Sequence, residues 1–122
     1  MSNVILIADD EPWQRMWISH MLHNAGYTCS TVTDGESVVE RALTLDPDLI
    51  ILDIEMPGVN GLDAAEQLRI LPNTRHLPIL FVTVYSAPRD LLAQTKLARA
   101  EVMLKPFHPE ELLNRVRRML AS

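Results

Sequence analysis

Two rhythms of apolar residues alternate along this chain. Val4-Ile5-Leu6-Ile7-Ala8, Leu49-Ile50-Ile51-Leu52 and the stretch from Pro78 to Val82 are short, almost unbroken apolar runs. Runs of this length, rich in β-branched side chains, suit strands buried on both faces. Tyr27 to Val32 and the shorter Glu101 to Leu104 read as two further strands. Between the strands the period lengthens to that of a helix. Pro12 suits a first helical position, and Ile18, Met21, Leu22 and Ala25 then fall on one stripe before Gly26 ends it. Asp34-Gly35 opens a second helix with Val38, Val39, Ala42 and Leu43 on one face, and Leu62 to Leu71 is a third. Pro88 opens a fourth, carrying Leu91, Leu92 and Ala98 on one side. Pro109-Glu110-Glu111 starts a fifth, with Leu112, Leu113, Val116, Met119 and Leu120 inward.

Five strands alternating with five amphipathic helices predict a (βα)5 α/β domain. Its parallel sheet is doubly wound, because right-handed crossovers lay the helices on both faces. Ligands of such sheets bind at the carboxyl ends of the strands. Asp9 and Asp10 follow the first strand, Asp53 the third, Thr83 the fourth and Lys105 the fifth. Three carboxylates, a hydroxyl and an ammonium are therefore expected on one rim. Clustered carboxylates raise one another's pKa or take a cation between them, and a hard divalent ion is the simpler solution. Magnesium takes few protein carboxylates and completes its octahedron with water and phosphate oxygens, which invites a phosphoryl group. A carboxylate is then the nucleophile that forms an aspartyl-phosphate, with the metal and a lysine neutralising the transferring oxygens.

Composition narrows the setting. The 122 residues fit one domain, 1–122, and 48% hydrophobic residues are enough for a real core. Sixteen acidic residues against eleven Lys and Arg leave a net charge of −5, which disfavours direct nucleic-acid binding through a general positive field. The single cysteine, Cys29, has no internal disulfide partner and suits a reducing cytoplasm. No apolar run is long enough to span a membrane, and the N-terminus lacks the pattern of a secretory signal. The expected location is cytoplasmic.

The same residues carry a family resemblance. Asp9-Asp10-Glu11-Pro12, Asp53 with Met56-Pro57-Gly58 and Asn60-Gly61 behind it, Thr83, and Lys105-Pro106-Phe107 together resemble the receiver domain of two-component response regulators. That resemblance implies a flavodoxin-like strand order 2-1-3-4-5. It implies Asp53 as phosphoacceptor, Asp10 as a direct magnesium ligand, Asp9 as a ligand through water and the main-chain carbonyl of Glu55 as a further ligand, with manganese able to substitute. Lys105 would contact the phosphoryl group, Thr83 would move onto it, and the Lys105–Pro106 bond would be cis. The implied partners are a sensor histidine kinase or histidine phosphotransfer protein and a downstream effector. The chain would be a monomer or a weak homodimer through the fourth helix, fifth strand and fifth helix. It would promote its own phosphorylation and dephosphorylation without being an enzyme on an external substrate.

Three departures from the family pattern bear on the switch. No aromatic lies between Glu101 and Lys105, where Val102 or Met103 takes the usual place. Val84 follows Thr83 where a small residue is usual, and with Tyr85 it is expected to shield the acyl phosphate from water. Ala98-Arg99-Ala100 replaces the glycine that commonly ends the fourth helix, so a positive φ there would cost about 1 kcal/mol. A phosphorylation-independent receiver-like interaction module is the alternative. A magnesium-dependent phosphatase is disfavoured because Glu55 stands where a second aspartate would be needed and no cap domain encloses a substrate. A flavin site is disfavoured because acidic residues after the first strand repel phosphate. His20 and His23 lack a third ligand and read as a solvated helix face. Trp13 and Trp17 are expected to cover the first helix, with Trp13 near enough to the acidic rim to sense a metal.

Overall fold

Ladder pairing brings the carboxyl ends of all the apolar runs to one side of a single sheet. The computed structural model describes residues 3–84 and 98–121. Strands β1 (Val4–Ala8), β2 (Thr28–Val32), β3 (Leu49–Asp53), β4 (Ile79–Val84) and β5 (Ala100–Lys105) are all parallel and lie in the order β2-β1-β3-β4-β5. Helices α1 (Pro12–Asn24), α2 (Gly35–Leu45), α3 (Gly61–Ile70) and a C-terminal helix (Pro109–Ala121) connect and cover them. The doubly wound fold and its strand order are those expected. Of the fourth predicted helix, Pro88, Leu91 and Leu92 lie outside the described residues, and Ala98 stands in a turn with Arg99.

Alternation along the strands divides the core in two. Leu6, Ala8, Ile50, Leu52, Ile79 and Phe81 pack under α2 and α3. Ile5, Ile7, Leu49, Ile51, Val82 and Met103 pack under α1 and the C-terminal helix. Burying apolar area on both faces is what ties five short strands together.

Side chains at the helix starts fix where each strand stops. Glu11 caps α1, its carboxylate accepting from the N–H groups of Trp13 and Gln14, with Pro12 behind it. Asp34 and Asn60 cap α2 and α3 through Ser37 N–H and Asp63 N–H. His108 caps the C-terminal helix: its Nδ1 accepts from Glu110 N–H while its own N–H donates to Glu111, a reciprocal box.

Several expectations shift in detail. Leu43 was placed on the inner face of α2, but it is 47% exposed. Val38 and Ala42 define the buried stripe, and Leu43 sits one residue, about 100°, further round the helix. Ala25 is the exposed cap of α1 and not a core position, and Trp13 is 79% exposed and covers little. Arg99 does adopt a φ of 55° without glycine. Its carbonyl accepts from Ile79 N–H and its guanidinium donates to the His76 carbonyl, which offsets that backbone cost. The Lys105–Pro106 bond is cis. No helix among the described residues is long and apolar enough to cross a membrane.

Gly61 begins α3 directly beneath the end of β3. A Cβ there would lie 2.2 Å from the Asp53 carbonyl oxygen and 2.9 Å from the Ile54 Cα. Gly61→Ala must push α3 off the strand end, so it is expected to lose at least about 2 kcal/mol of stability, read as a lower urea midpoint at unchanged m-value.

Candidate functional site

Strand ends and the β1–α1 loop bring the charged groups together. Asp9, the residue after β1, is wholly buried. Its Oδ1 accepts from Glu11 N–H at 2.9 Å and its Oδ2 from Lys105 Nζ at 3.3 Å. Its main-chain N–H donates to the Val32 carbonyl, and its own carbonyl accepts from Arg15 Nη1. Asp53, the last residue of β3, is 5% exposed. Its Oδ1 accepts from Glu55 N–H at 3.1 Å and its Oδ2 from Lys105 Nζ at 3.1 Å. Asp10 is exposed, yet one carboxylate oxygen from each of Asp9, Asp10 and Asp53 lies within 4.8 Å of the others.

One ammonium cannot balance three carboxylates. Burial pushes the Asp53 carboxyl up to about 6; Lys105 pulls it down and the Asp9 carboxylate adds to the rise. Burial also works against the Lys105 ammonium, but Asp53 and Asp9 together outweigh it and hold its pKa above the usual lysine value. The shifts fit each other because the lysine faces two anions, whereas each anion faces one cation and another anion.

Thr83 differs from the other predicted members of the rim. It belongs to the same register of β4 as Ile79 and Phe81, which pack beneath α2 and α3. Asp9, Asp53 and Lys105 continue the registers of Ile7, Ile51 and Met103, which pack beneath α1 and the C-terminal helix. The Thr83 hydroxyl is buried and has no hydrogen-bond partner among the described residues. Val84 is 39% exposed at the strand end, and Tyr85 lies outside the described residues. Glu55 is exposed; its N–H, not its side chain, is what meets Asp53.

The remaining candidates have structural partners. His20 bonds to Asn24, and Glu101 on β5 pairs with both Arg115 and Arg118 of the C-terminal helix. Cys29 is half-buried, and burial pushes its thiol up, away from reactivity. Trp17 covers α1 by packing its ring on that of Phe107, with centroids 5.5 Å apart. Sequence reading missed Glu11 as the cap of α1 and Arg15 as a partner of Asp9. An acidic residue before Pro12 is a recognisable cap signal; nothing in the sequence ties an arginine to a carbonyl six residues earlier.

Residues 5–117 match the family model for the response regulator receiver domain. The chain belongs to that family. The receiver is 34% identical over 120 residues to the alkaline phosphatase synthesis transcriptional regulatory protein PhoP of Bacillus subtilis, covering 98% of this chain and 49% of the relative. It is 36% identical over 116 residues to response regulator ArlR of Staphylococcus saprophyticus, covering 95% and 51%. The chain thus spans about half the length of the curated relatives it matches. Among solved structures it resembles chemotaxis response regulator CheY4 of Vibrio cholerae, with a TM-score of 0.89 and 29% identity over 98% of this chain and 99% of that one. It also resembles the receiver domain of sensor histidine kinase PA1611 from Pseudomonas aeruginosa, with a TM-score of 0.90 and 28% identity over all of both chains; that structure has a magnesium ion coordinated in its active site cleft.

The receiver's own donors fit such an ion. Asp9, Asp10 and Asp53 offer hard carboxylate oxygens from two strand ends, and Lys105 leaves part of their charge uncompensated.

The Asp53 shift also makes a stability prediction. Between the ordinary pKa of 3.8 and about 6, the folded receiver keeps a proton that the unfolded chain releases. The relative stabilisation is full below pH 4 and lost as pH rises through 6. In metal-free buffer Asp53→Asn is therefore expected to be more stable than the parent protein by on the order of 2 kcal/mol at pH 7.5, the difference shrinking towards pH 4. Urea melts across that pH range check it.

Proposed function

We propose that this receiver accepts a phosphoryl group on Asp53 from a phosphohistidine of a sensor histidine kinase or histidine phosphotransfer protein, with magnesium, and thereby switches a partner-binding surface. The observation that carries this reading is the Asp53 carboxylate, nearly buried at a strand end, bonded to Lys105 at 3.1 Å and clustered with Asp9 and Asp10. Desolvation and repulsion both oppose this grouping, and a divalent cation with an anionic phosphoryl ligand relieves both.

In the transfer, an Asp53 carboxylate oxygen attacks phosphorus in line with the departing imidazole nitrogen. The P–N bond breaks, its electron pair leaves with the imidazole, and the imidazole takes a proton from solvent. Magnesium, held by Asp9, Asp10, Asp53 and the main-chain carbonyl of Glu55, would neutralise charge on the transferring oxygens. Lys105 keeps its bond to Asp9 while its contact with Asp53 gives way to a phosphoryl oxygen. The Thr83 hydroxyl, without a partner among the described residues, gains an acceptor by turning towards the new group. The chain thus modifies itself and turns over no external substrate.

The missing aromatic on β5 changes what the turning threonine can release. Val102 packs with the α2–α3 side of the core and Met103 with the other, and neither is a ring that swings between surface and interior. The surface change is correspondingly assigned to Thr83 and Val84 at the end of β4.

Acetyl phosphate with magnesium is expected to add one phosphoryl mass to the intact protein. Asp53→Asn and a magnesium-free sample are expected to show none. Trp13 emission, titrated with magnesium and beryllofluoride in the same samples, covers the case of a short-lived adduct. No adduct together with unchanged emission would replace this reading with that of an interaction module that works without phosphorylation.

A further inference from the structure

A strand leaving its sheet carries a carbonyl without a ladder partner, and just past the end of β1 that carbonyl belongs to Asp9. Arg15, near the start of α1, reaches back and donates from Nη1 to this oxygen at 2.9 Å. The Asp9 carbonyl shares one rigid plane with the Asp10 N–H, so whatever holds the carbonyl also orients the backbone of Asp10.

Asp9 and Asp10 depend on that plane unequally. The Asp9 carboxylate has its own restraints in Glu11 N–H and Lys105. The Asp10 carboxylate is exposed and makes no hydrogen bond or ion pair with the described residues, so its backbone is what places it within 4.8 Å of Asp9 and Asp53. Arg15 itself is held in the first turn of α1, its N–H donating to the Glu11 carbonyl at 3.0 Å, and Glu11 in turn caps that helix. The loop is closed at both ends.

We propose that Arg15 is a positioning residue of the acidic site: its guanidinium clamps the Asp9–Asp10 peptide plane and so presents the Asp10 carboxylate to a divalent cation. The proposal rests on the metal-binding part of the reading above. It differs in sign from the effect of charge. A guanidinium beside a cation site repels the incoming ion, so if Arg15 acted only through its charge, its removal would strengthen metal binding. As a clamp, its removal weakens binding.

Manganese binding followed by electron paramagnetic resonance, on the 122-residue chain and its Arg15→Ala and Arg15→Lys variants, separates the two. R15A is expected to bind Mn2+ about 10-fold more weakly, and R15K, which keeps a donor of similar reach, to stay within about 3-fold of the parent. An R15A affinity equal to or tighter than the parent's overturns the proposal, as does an R15K no better than R15A. Amide hydrogen exchange on the metal-free proteins gives the second readout. The Glu11 amide, bonded to the Asp9 carboxylate, is expected to exchange faster in R15A while those of β5 and the C-terminal helix keep their rates. Faster exchange across the whole sheet means that Arg15 merely supports the fold, and overturns the proposal. If the parent binds no manganese, the metal reading fails on its own account, and the exchange pattern still decides whether Arg15 holds the Asp9–Asp10 peptide.

Discussion

Three carboxylates crowded at the end of an apolar sheet, with one lysine among them, are the constraint on which this receiver depends. Desolvation and mutual repulsion oppose the grouping, and only a framework stabilised elsewhere can impose it. That framework is the parallel sheet. Ile5, Ile7, Ile50, Ile51, Leu80 and Phe81 are fully buried, and their burial on both faces offsets what the acidic end costs. The apolar framework and the acidic cluster therefore occupy different stretches of the same strands.

The acidic end is held by bonds that a carboxylate cluster in water would not have. Asp9 has all its polar groups engaged, Asp53 is tied to the backbone of Glu55, and Gly61 lets α3 start against the Asp53 carbonyl. Lys105 spans the gap between β1 and β3 from the far edge of the sheet. What remains loose is Asp10 in water and the hydroxyl of Thr83 in the interior. A site built this way has two anions held by bonds, Asp9 and Asp53, and one unsatisfied donor among the described residues. That donor sits on the opposite register from the side chains of Asp9 and Asp53.

The departures at β5 and at the turn before it have different weights. Arg99 shows that a missing glycine is tolerated when neighbouring bonds hold the backbone, here to Ile79 and His76. The missing aromatic has no such substitute among the described residues. The single ring pair there, Trp17 with Phe107, lies on the α1 side and joins the core beside α1 and the C-terminal helix.

The sequence by itself determined the strands, their parallel winding and which residues end them. Unbroken apolar runs admit few alternatives, and the residues that end them must lie at the sheet's carboxyl end whatever the packing. Its periodicity was less decisive at margins: Leu43 fits the α2 stripe on paper, but a turn of about 100° per residue takes it into water. Only the tertiary structure decided the relations between those residues. Lys105 meets Asp9 and Asp53 because β5 and β1 end at the same level although 96 residues separate the pair. Thr83 falls on the other register of its strand because register is set by which neighbours that strand packs on, and Arg15 finds the Asp9 carbonyl because the loop between them closes in space. Local pattern fixes an element and its end; distances between ends arise from the docking of all the elements together.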